Sequence, residues 1–384
     1  MGLVAILALL RPNFLVSPEA GGHLAEVCRP LQVIDAETGL PLRGIEDLAV
    51  LPDGSSILSA YDRWSVEDGV TAGQRSAPGG LYRLEAPADR WTADRTTSIE
   101  AQNLTGAVLP EIRPHGIDVI AKSDGGVRIF AVNRATGPAR DRVAVDVFDL
   151  ADTDLRHVAR IADPRLCRAN DIAAVDERHA FLTLDTSACG GPARWRELVL
   201  GPPAGAVLRL TLSDDVLEGS AGDDKQTAQL APIAHGLRFA NGIAVDGQWV
   251  WIAETRGQAL MRLPLEVALQ GNATLTVESL PSPHRYTLAA APDNLTIDAD
   301  GALLVTQHPS LLRLALHRPA WLRFGRPGTR VDRVAPGDGG AIELRLEWLD
   351  PQGTLLPAGT VAAEVPGALL IGSVTAEGLA VCPS

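Results

Sequence analysis

A strand–turn–strand pattern that returns six times along the chain constrains the fold more than any other feature. The copies are GIEDLAVLPDGSSILSA from Gly44, HGIDVIAKSDGGVRIFAVN from His115, NDIAAVDERHAFLTLD from Asn170, NGIAVDGQWVWIAE from Asn241, DNLTIDADGALLVTQ from Asp293 and GTVAAEVPGALLIGSV from Gly359. In each, Val, Ile, Leu and Ala alternate as on a half-buried strand, and a step such as Asp-Gly, Gly-Gly or Pro-Gly supplies the turn of a hairpin. The copies recur every roughly 50 to 70 residues, so each interval has room for two further strands and a loop. This is the pattern of a propeller blade used six times. The expected fold is therefore all-β, a six-bladed β-propeller in which residues 21–384 form one domain.

Composition agrees where it bears on the argument. The 384 residues include 37 Gly and 27 Pro, a turn-rich mixture that suits many short strands better than long helices. The Gly-His and Trp-Asp signature of WD40 repeats is absent, and the period is too long for them. Residues 309–324 (PSLLRLALHRPAWLRF) are the main departure. Their Leu and Trp, alternating with Arg and His, fit either a short amphipathic helix over one end of the propeller or a strand and loop of the fifth blade. Residues 136–141 and 213–224 read as loops.

A closed propeller must join its first and last strands, or an edge stays exposed. Of the cysteines Cys28, Cys167, Cys189 and Cys382, the first and last sit near opposite ends of the chain. A bridge between them would lock an N-/C-terminal strand joint. No Cys/His spacing of the zinc-binding kind occurs. The formal net charge of -13 argues against nucleic acid or an anionic membrane surface as the main partner. A small-molecule substrate is expected instead. No run reaches the roughly 18 apolar residues of a membrane span, while peripheral membrane contact stays open. Residues 1–10 (MGLVAILALL) have the length of a signal-peptide apolar core but lack a basic flank and a clear cleavage site. Residues 1–20 are set apart as an apolar leader or a buried N-terminal segment.

The candidate chemistry lies at the strand starts, which in a propeller face one another around the central channel. They read Glu46-Asp47, His115-Gly116-Ile117, Asn170-Asp171, Asn241-Gly242 and Asp293-Asn294. Burying such charges unpaired would cost several kcal/mol each, and a hard cation offsets that cost. Calcium takes about six to eight oxygen ligands, whereas the lack of Cys and scarcity of His disfavour zinc and copper. For any single pair, turn capping by Asn or Asp is the plainer account.

The segments GIEDLAVLPDG, RPHGIDV, NDIAAV, FANGIAV and PDNLTID, the Gln-His-Pro at Gln307, and the terminal GTVAAEVPGALLIGSV with its following cysteine resemble the serum paraoxonase/arylesterase family. The resemblance runs in order from about Cys28 to Cys382. That family consists of six-bladed, calcium-dependent lactonases distantly related to gluconolactonases. The resemblance implies two Ca2+ ions in a central channel. Glu46, Asn170, Asn241, Asp293 and Asn294 would hold the catalytic ion, and Asp47, Asp171 and the Ile117 carbonyl the deeper structural one. Neighbouring strand residues point to opposite faces, so Glu46 and Asp47, or Asn170 and Asp171, can serve different ions. The resemblance also implies His115 as the active-site histidine, a Cys28–Cys382 disulfide, and Trp64, Phe239, His308 and Val361 as the pocket wall.

Two positions depart from the family pattern. Arg134 stands where the resemblance implies a second histidine, and Thr186 where it implies a third, beside a retained Asp185. A permanently charged guanidinium cannot shuttle protons. The function implied is metal-assisted hydrolysis of lactones and aryl esters, with His115, Asn170, Glu46 and Asp293 carrying the chemistry. Without Gly-x-Ser-x-Gly, a serine nucleophile is not expected. Two alternatives remain: a calcium-stabilised binding scaffold without turnover, to which Arg134 points, and a gluconolactonase-like sugar-lactone hydrolase, against which the apolar wall argues. A second disulfide, Cys167–Cys189, is inferred from the residues alone. One cysteine precedes the strand opening at Asn170 and the other follows its returning partner, so both emerge at the same end of the hairpin. Such a bridge implies a secreted or extracytoplasmic protein; two free thiols in a cytoplasmic one are the alternative.

Overall fold

The structure is a computed structural model that describes residues 28–67, 76–85, 91, 97–134, 143–217, 227–270, 275–276, 284–319, 322–336 and 341–383. The apolar leader and the expected loop at 136–141 lie outside these residues. The described residues fall into two compact units, one from Met1–Gly106 with Leu288–Ser384 and one from Ala107–Thr287.

The strands are short and run in chain order. After β1 (Arg29–Asp35) come β2 (Ile45–Val50), β3 (Ser56–Ala60), β4 (Gly80–Leu84) and β5 (Ser98–Asn103), then β6 (Pro114–Ala121), β7 (Val127–Arg134), β8 (Val143–Ala151) and β9 (Asp154–Ala162). Next are β10 (Ala169–Ala174), β11 (His179–Leu184), β12 (Gly205–Leu212) and β13 (Ala228–Leu237), with the short β17 (Leu275–Thr276) lying parallel on β13. They are followed by β14 (Ala240–Val245), β15 (Trp249–Glu254), β16 (Ala259–Pro264) and β18 (Arg285–Thr287). Last come β19 (Ala291–Ile297), β20 (Leu303–His308), β21 (Thr329–Pro336) and β22 (Ile342–Asp350), then β23 (Gly359–Val365), β24 (Ala368–Ser373) and β25 (Leu379–Pro383). These strands form an eight-stranded sheet in the order β2-β3-β4-β5-β1-β25-β24-β23, a five-stranded sheet β10-β11-β12-β13-β17, and three four-stranded sheets, β6-β7-β8-β9, β14-β15-β16-β18 and β19-β20-β21-β22.

Each of the six sequence copies is an antiparallel hairpin, with β2, β6, β10, β14, β19 or β23 as its leading strand. Five of these hairpins turn on a glycine at positive φ, namely Gly54, Gly125, Gly247, Gly301 and Gly367. Only glycine adopts that conformation without steric cost. The β10–β11 turn lacks one and is tied instead by Asp176, whose Oδ1 accepts from the Arg178 and His179 amides at 2.7 Å each.

The expected terminal joint is present within the first unit. β1 pairs antiparallel with β25, from Arg29↔Val381 to Leu31↔Leu379, and then parallel with β5, from Gln32↔Ser98 to Asp35↔Ala101. It thus covers two strand edges that would otherwise be open. The Cys28–Cys382 disulfide fastens it, with Cα atoms 4.1 Å apart. Leu31 and Val33 carry β1 into a core with Ile45, Leu48, Tyr82, Val361 and Val381.

Four helices matter to the site: α1 (Arg63–Glu67), α2 (Gly191–Leu200), α3 (Asp214–Leu217) and α4 (Leu311–His317). Of the two readings of residues 309–324, the helix is the one observed, capped by Ser310 Oγ accepting from the Arg313 amide at 3.3 Å. The loop expected at 213–224 begins instead with the single helical turn of α3, pinned by buried Val216. Helix α2 has no counterpart in the sequence reading. Among the described residues, no helix is long and apolar enough to cross a membrane.

Candidate functional site

Every leading strand carries a β-bulge; five of the six fall on the polar residues singled out from the sequence, and the sixth falls at Thr360. One extra residue is inserted between Ile45 and Asp47, Pro114 and Ile117, Ala169 and Ile172, Ala240 and Ile243, Pro292 and Leu295, and Gly359 and Val361. A bulge sets two residues against one and re-aims their side chains. The simple alternation expected to separate Glu46 from Asp47 and Asn170 from Asp171 therefore does not apply there. The bulge itself sets their directions.

In the first unit, Glu46, Asp47, Asp293 and Asn294 are all buried. The Glu46 carbonyl accepts from Asn294 Nδ2 at 2.9 Å and from Thr360 Oγ1 at 2.8 Å, joining β2, β19 and β23 at their bulges. Asn294 Oδ1, at the other end of that amide, is buried with no hydrogen-bond partner. The Glu46 carboxylate faces the buried Arg63 guanidinium at 3.7 Å. Arg63 also lies 4.2 Å over the Tyr61 ring. Asp47 Oδ1 accepts from the Leu48 amide at 2.9 Å. Asp293 Oδ2 lies 2.6 Å from His308 Nε2. His308, expected in the pocket wall, is thus a direct partner of a candidate ligand.

In the second unit, β6, β10 and β14 pack consecutively. Gly116 makes the β6–β10 approach possible. A Cβ there would fall on the Asp171 carboxylate and Cα and lie 2.8 Å from the Asn170 carbonyl oxygen. His115, buried, immediately precedes it. Asp171 accepts from the Ile172 amide on its own strand and from the Ile243 amide on β14, both at 2.8 Å. Asp118 repeats the device one strand earlier, accepting from the Val119 and Ala174 amides at 2.8 Å. Burial pushes the Asp118 carboxyl up to about 6. Asn241 Nδ2 lies 3.1 Å from Thr255 Oγ1. Asn170 Oδ1, like Asn294 Oδ1 in the first unit, is buried with no hydrogen-bond partner.

Arg134, at the end of β7, donates to the Ala169 carbonyl at 3.1 Å and stands 3.9 Å from Asp185. Asp185 is buried and meets two further guanidiniums, Arg168 and Arg194. Burial alone would raise its pKa, but the charges of Arg168, Arg134 and Arg194 outweigh that and hold the carboxyl below its ordinary range. Thr186 Oγ1 donates to Asp185 at 2.8 Å and accepts from Arg168 and Arg194 at 3.0 Å each. The Cys167–Cys189 disulfide is present, with Cα atoms 5.4 Å apart, and ties the segment before Arg168 to the loop after Thr186.

Of the expected wall residues, Trp64, His308 and Val361 belong to the first unit and have different surroundings. Trp64, on α1, donates from Nε1 to the Arg318 carbonyl at 2.8 Å, meets His317 edge-on and lies under Arg323. It lines a cavity of about 250 Å³ that holds His317 and Arg326 but none of the other three. Val361 is fully buried in the core of the first unit. Phe239, in the second unit, takes a positive φ of 67° just before β14. Arg63, His308 as a partner of Asp293, and the Arg168–Arg194 pair escaped the sequence reading, because each is defined by a contact between residues far apart in the chain.

Antiparallel meanders whose leading strands present bulged, buried Asp, Glu and Asn define an all-β protein with oxygen-rich polar sites. The chain belongs to the Arylesterase family, whose profile matches residues 38–382. It is 25% identical over 339 residues to serum paraoxonase/arylesterase 1 of Homo sapiens, covering 86% of this chain and 83% of that one. Against the same protein of Mus musculus it is 27% identical over 336 residues, with the same coverage. A solved structure of the calcium-binding protein regucalcin from Agrobacterium tumefaciens overlays 91% of the chain and 94% of its own at a TM-score of 0.44 and 14% identity.

Proposed function

We propose that the protein is a calcium-dependent hydrolase of lactones and aryl esters. Beyond family membership, the observation that carries this reading is the pair of buried amide oxygens, Asn170 Oδ1 and Asn294 Oδ1, without hydrogen-bond partners. An unsatisfied buried acceptor costs about 1–3 kcal/mol. A hard cation offsets that cost, and calcium accepts amide and carboxylate oxygens together. The Asn294 amide is oriented for this, since its Nδ2 is committed to the Glu46 carbonyl and only the oxygen is left to ligate. Among the described residues no group of three or more His, Cys, Asp or Glu is arranged to hold a metal. In this reading Glu46, Asn170, Asn241, Asp293 and Asn294 hold a catalytic ion, and Asp47, Asp171 and the Ile117 carbonyl a structural one.

When bound, calcium would polarise the ester carbonyl and stabilise charge developing on its oxygen. His115 takes the proton from the attacking water. Asn170 Nδ2 donates to the carbonyl oxygen. His308, 2.6 Å from Asp293, fixes the direction of that carboxylate. The six-bladed propeller belongs to the same proposal, supported by the six leading hairpins and by β1 lying between β25 and β5. Two disulfides support an oxidising, extracytoplasmic compartment. The fixed charge of Arg134 favours the second reading, a calcium-stabilised scaffold without turnover.

The test is hydrolysis of phenyl acetate and a long-chain lactone with and without chelator, alongside calcorimetric calcium binding. Turnover lost on chelation and restored by calcium supports the hydrolase. Calcium binding without turnover supports the scaffold, and preference for a sugar lactone supports the gluconolactonase-like variant.

A further inference from the structure

One buried hydroxyl joins two of the polar bulges in the second unit. In the β10–β11 hairpin the register runs from Ala169↔Leu184 to Ile172↔Leu182, so Asn170 and Asp171 stand opposite the single residue Thr183. Thr183 is fully buried. Its Oγ1 accepts from the Asp171 amide at 3.0 Å and donates to the Asn241 carbonyl on β14. A hydroxyl has one proton to give. The Asp171 carbonyl, 3.5 Å away, is the more distant acceptor, so that proton goes to Asn241.

The bulge itself does not require this hydroxyl. The flanking hairpins of the same unit bulge in the same register, with His115 and Gly116 opposite Val132, and Asn241 and Gly242 opposite Ala253. Val132 and Ala253 are both buried, and neither side chain can form a hydrogen bond. The hydroxyl at 183 therefore serves the contact with β14. It works there beside Asp171, whose Oδ2 accepts from the Ile243 amide at 2.8 Å. The two contacts hold β14 on either side of Gly242, one at the carbonyl before it and one at the amide after it. Asn241 is thereby fixed relative to Asn170 and Asp171.

Building on the calcium reading, we propose that Thr183 is a positioning residue for the metal ligands. Its hydroxyl locks the Asn241 bulge onto the Asn170–Asp171 bulge, so that these three proposed ligands are in place before an ion arrives. Groups that orient ligands without touching the metal typically carry about 10- to 100-fold of the metal affinity.

The test is titration calorimetry with calcium chloride on the full chain, alongside melting in chelator. Thr183→Val keeps the branched shape and removes the hydroxyl. It should weaken at least one calcium step by about tenfold or more, whereas Thr183→Ser, which keeps the hydroxyl, should bind close to wild type. Thr306 supplies the control. It faces the Asp293–Asn294 bulge in the same register, and its Oγ1 is buried without a hydrogen-bond partner. Thr306→Val should therefore leave calcium affinity unchanged. A hydroxyl that serves only the fold would lower the melting temperature of Thr183→Val in chelator and alter neither calcium step. That result, or equal losses in Thr183→Val and Thr306→Val, overturns the clamp. If Thr183→Val does not fold, Thr183→Ser decides: a folded Ser variant with calcium weakened about tenfold overturns the clamp, and wild-type affinity supports it. Phenyl acetate turnover separates the clamp from the hydrolase reading. If the wild type binds calcium, Thr183→Val loses affinity and neither hydrolyses the ester, the clamp is supported and the hydrolase reading fails. If the wild type binds calcium and hydrolyses the ester while Thr183→Val binds calcium equally, the clamp alone fails. If the wild type binds no calcium, both fall.

Discussion

Replacing Asn170 by Leu, which keeps the same branched heavy-atom skeleton, should leave the metal-free protein no less stable while shrinking the stabilisation that calcium adds. In chelator, the wild type carries a buried amide oxygen without a partner, at a cost of about 1–3 kcal/mol. Leu removes that oxygen, so melting in chelator should be unchanged or raised. In calcium at about 100 times its dissociation constant, the wild type gains about 2.7 kcal/mol by linkage. Over 384 residues the melting entropy is about 0.8 kcal/mol/K, so the calcium shift is about 3 °C. Loss of one ligand with a tenfold drop in affinity takes about 1.4 kcal/mol from that gain and roughly halves the shift. The assay is differential scanning calorimetry in chelator and in calcium, with phenyl acetate turnover alongside. If Asn170→Leu is destabilised by more than about 2 kcal/mol in chelator and keeps the full calcium shift, Asn170 is a turn cap and the ligand assignment is wrong. Asn294→Leu makes a useful contrast. It also loses the 2.9 Å bond to the Glu46 carbonyl, so it should be destabilised in both conditions.

Gly116→Ala should cost about 1–3 kcal/mol or more, because the obstacles include the Asp171 Cα as well as its side chain; urea unfolding at wild-type stability would show that β6 and β10 do not approach so closely. Cys167→Ser with Cys189→Ser should cost about 3 kcal/mol for a bridge spanning 22 residues, read as a lower melting temperature, and unchanged melting would refute it. His317 adds a pH dependence. Burial, with Arg326, Arg318 and Arg323 nearby, lowers its pKa against the opposing hydrogen bond to Gly325. The unfolded chain therefore binds the proton more readily, so stability should be full above the ordinary histidine pKa of about 6.5 and fall as the solution is acidified through it. His317→Gln should flatten that part of the curve of urea midpoint against pH.

The hairpins were legible because both of their signals are local. Alternating Val, Ile and Leu mark each strand, and five turns carry a glycine whose positive φ the chain requires. Helix α2 was not legible, because its signals contradict a buried helix. It opens on Gly191 and Pro192, and Glu197 is its one fully buried residue, so no apolar stripe appears. The bulges escaped for a different reason. In five of the six, the extra residue interrupts the alternation where Asn, Asp, Glu or His already breaks the apolar pattern, and there it reads as ordinary turn chemistry. The polar residues of the site were therefore visible, while the backbone feature that aims them was not.

The two departures at Arg134 and Thr186 were visible singly, but their connection was not. Both residues meet the retained Asp185, Arg134 as a flanking cation at 3.9 Å and Thr186 as a hydroxyl donor at 2.8 Å. A guanidinium at 134 is tolerable because a buried carboxylate lies within its reach. A short hydroxyl at 186 lets Arg168 and Arg194 converge on one oxygen at 3.0 Å each. Removing either member changes the partners of the other, so the two positions form one network and their substitutions should couple rather than add. Arg134→His alone withdraws a charge that helps keep Asp185 ionised, and Thr186→His alone removes the hydroxyl shared by two arginines. A double mutant whose stability change equals the sum of the single changes would show two independent losses. A coupling of about 0.5–3 kcal/mol is what a site rebuilt as a unit around Asp185 requires.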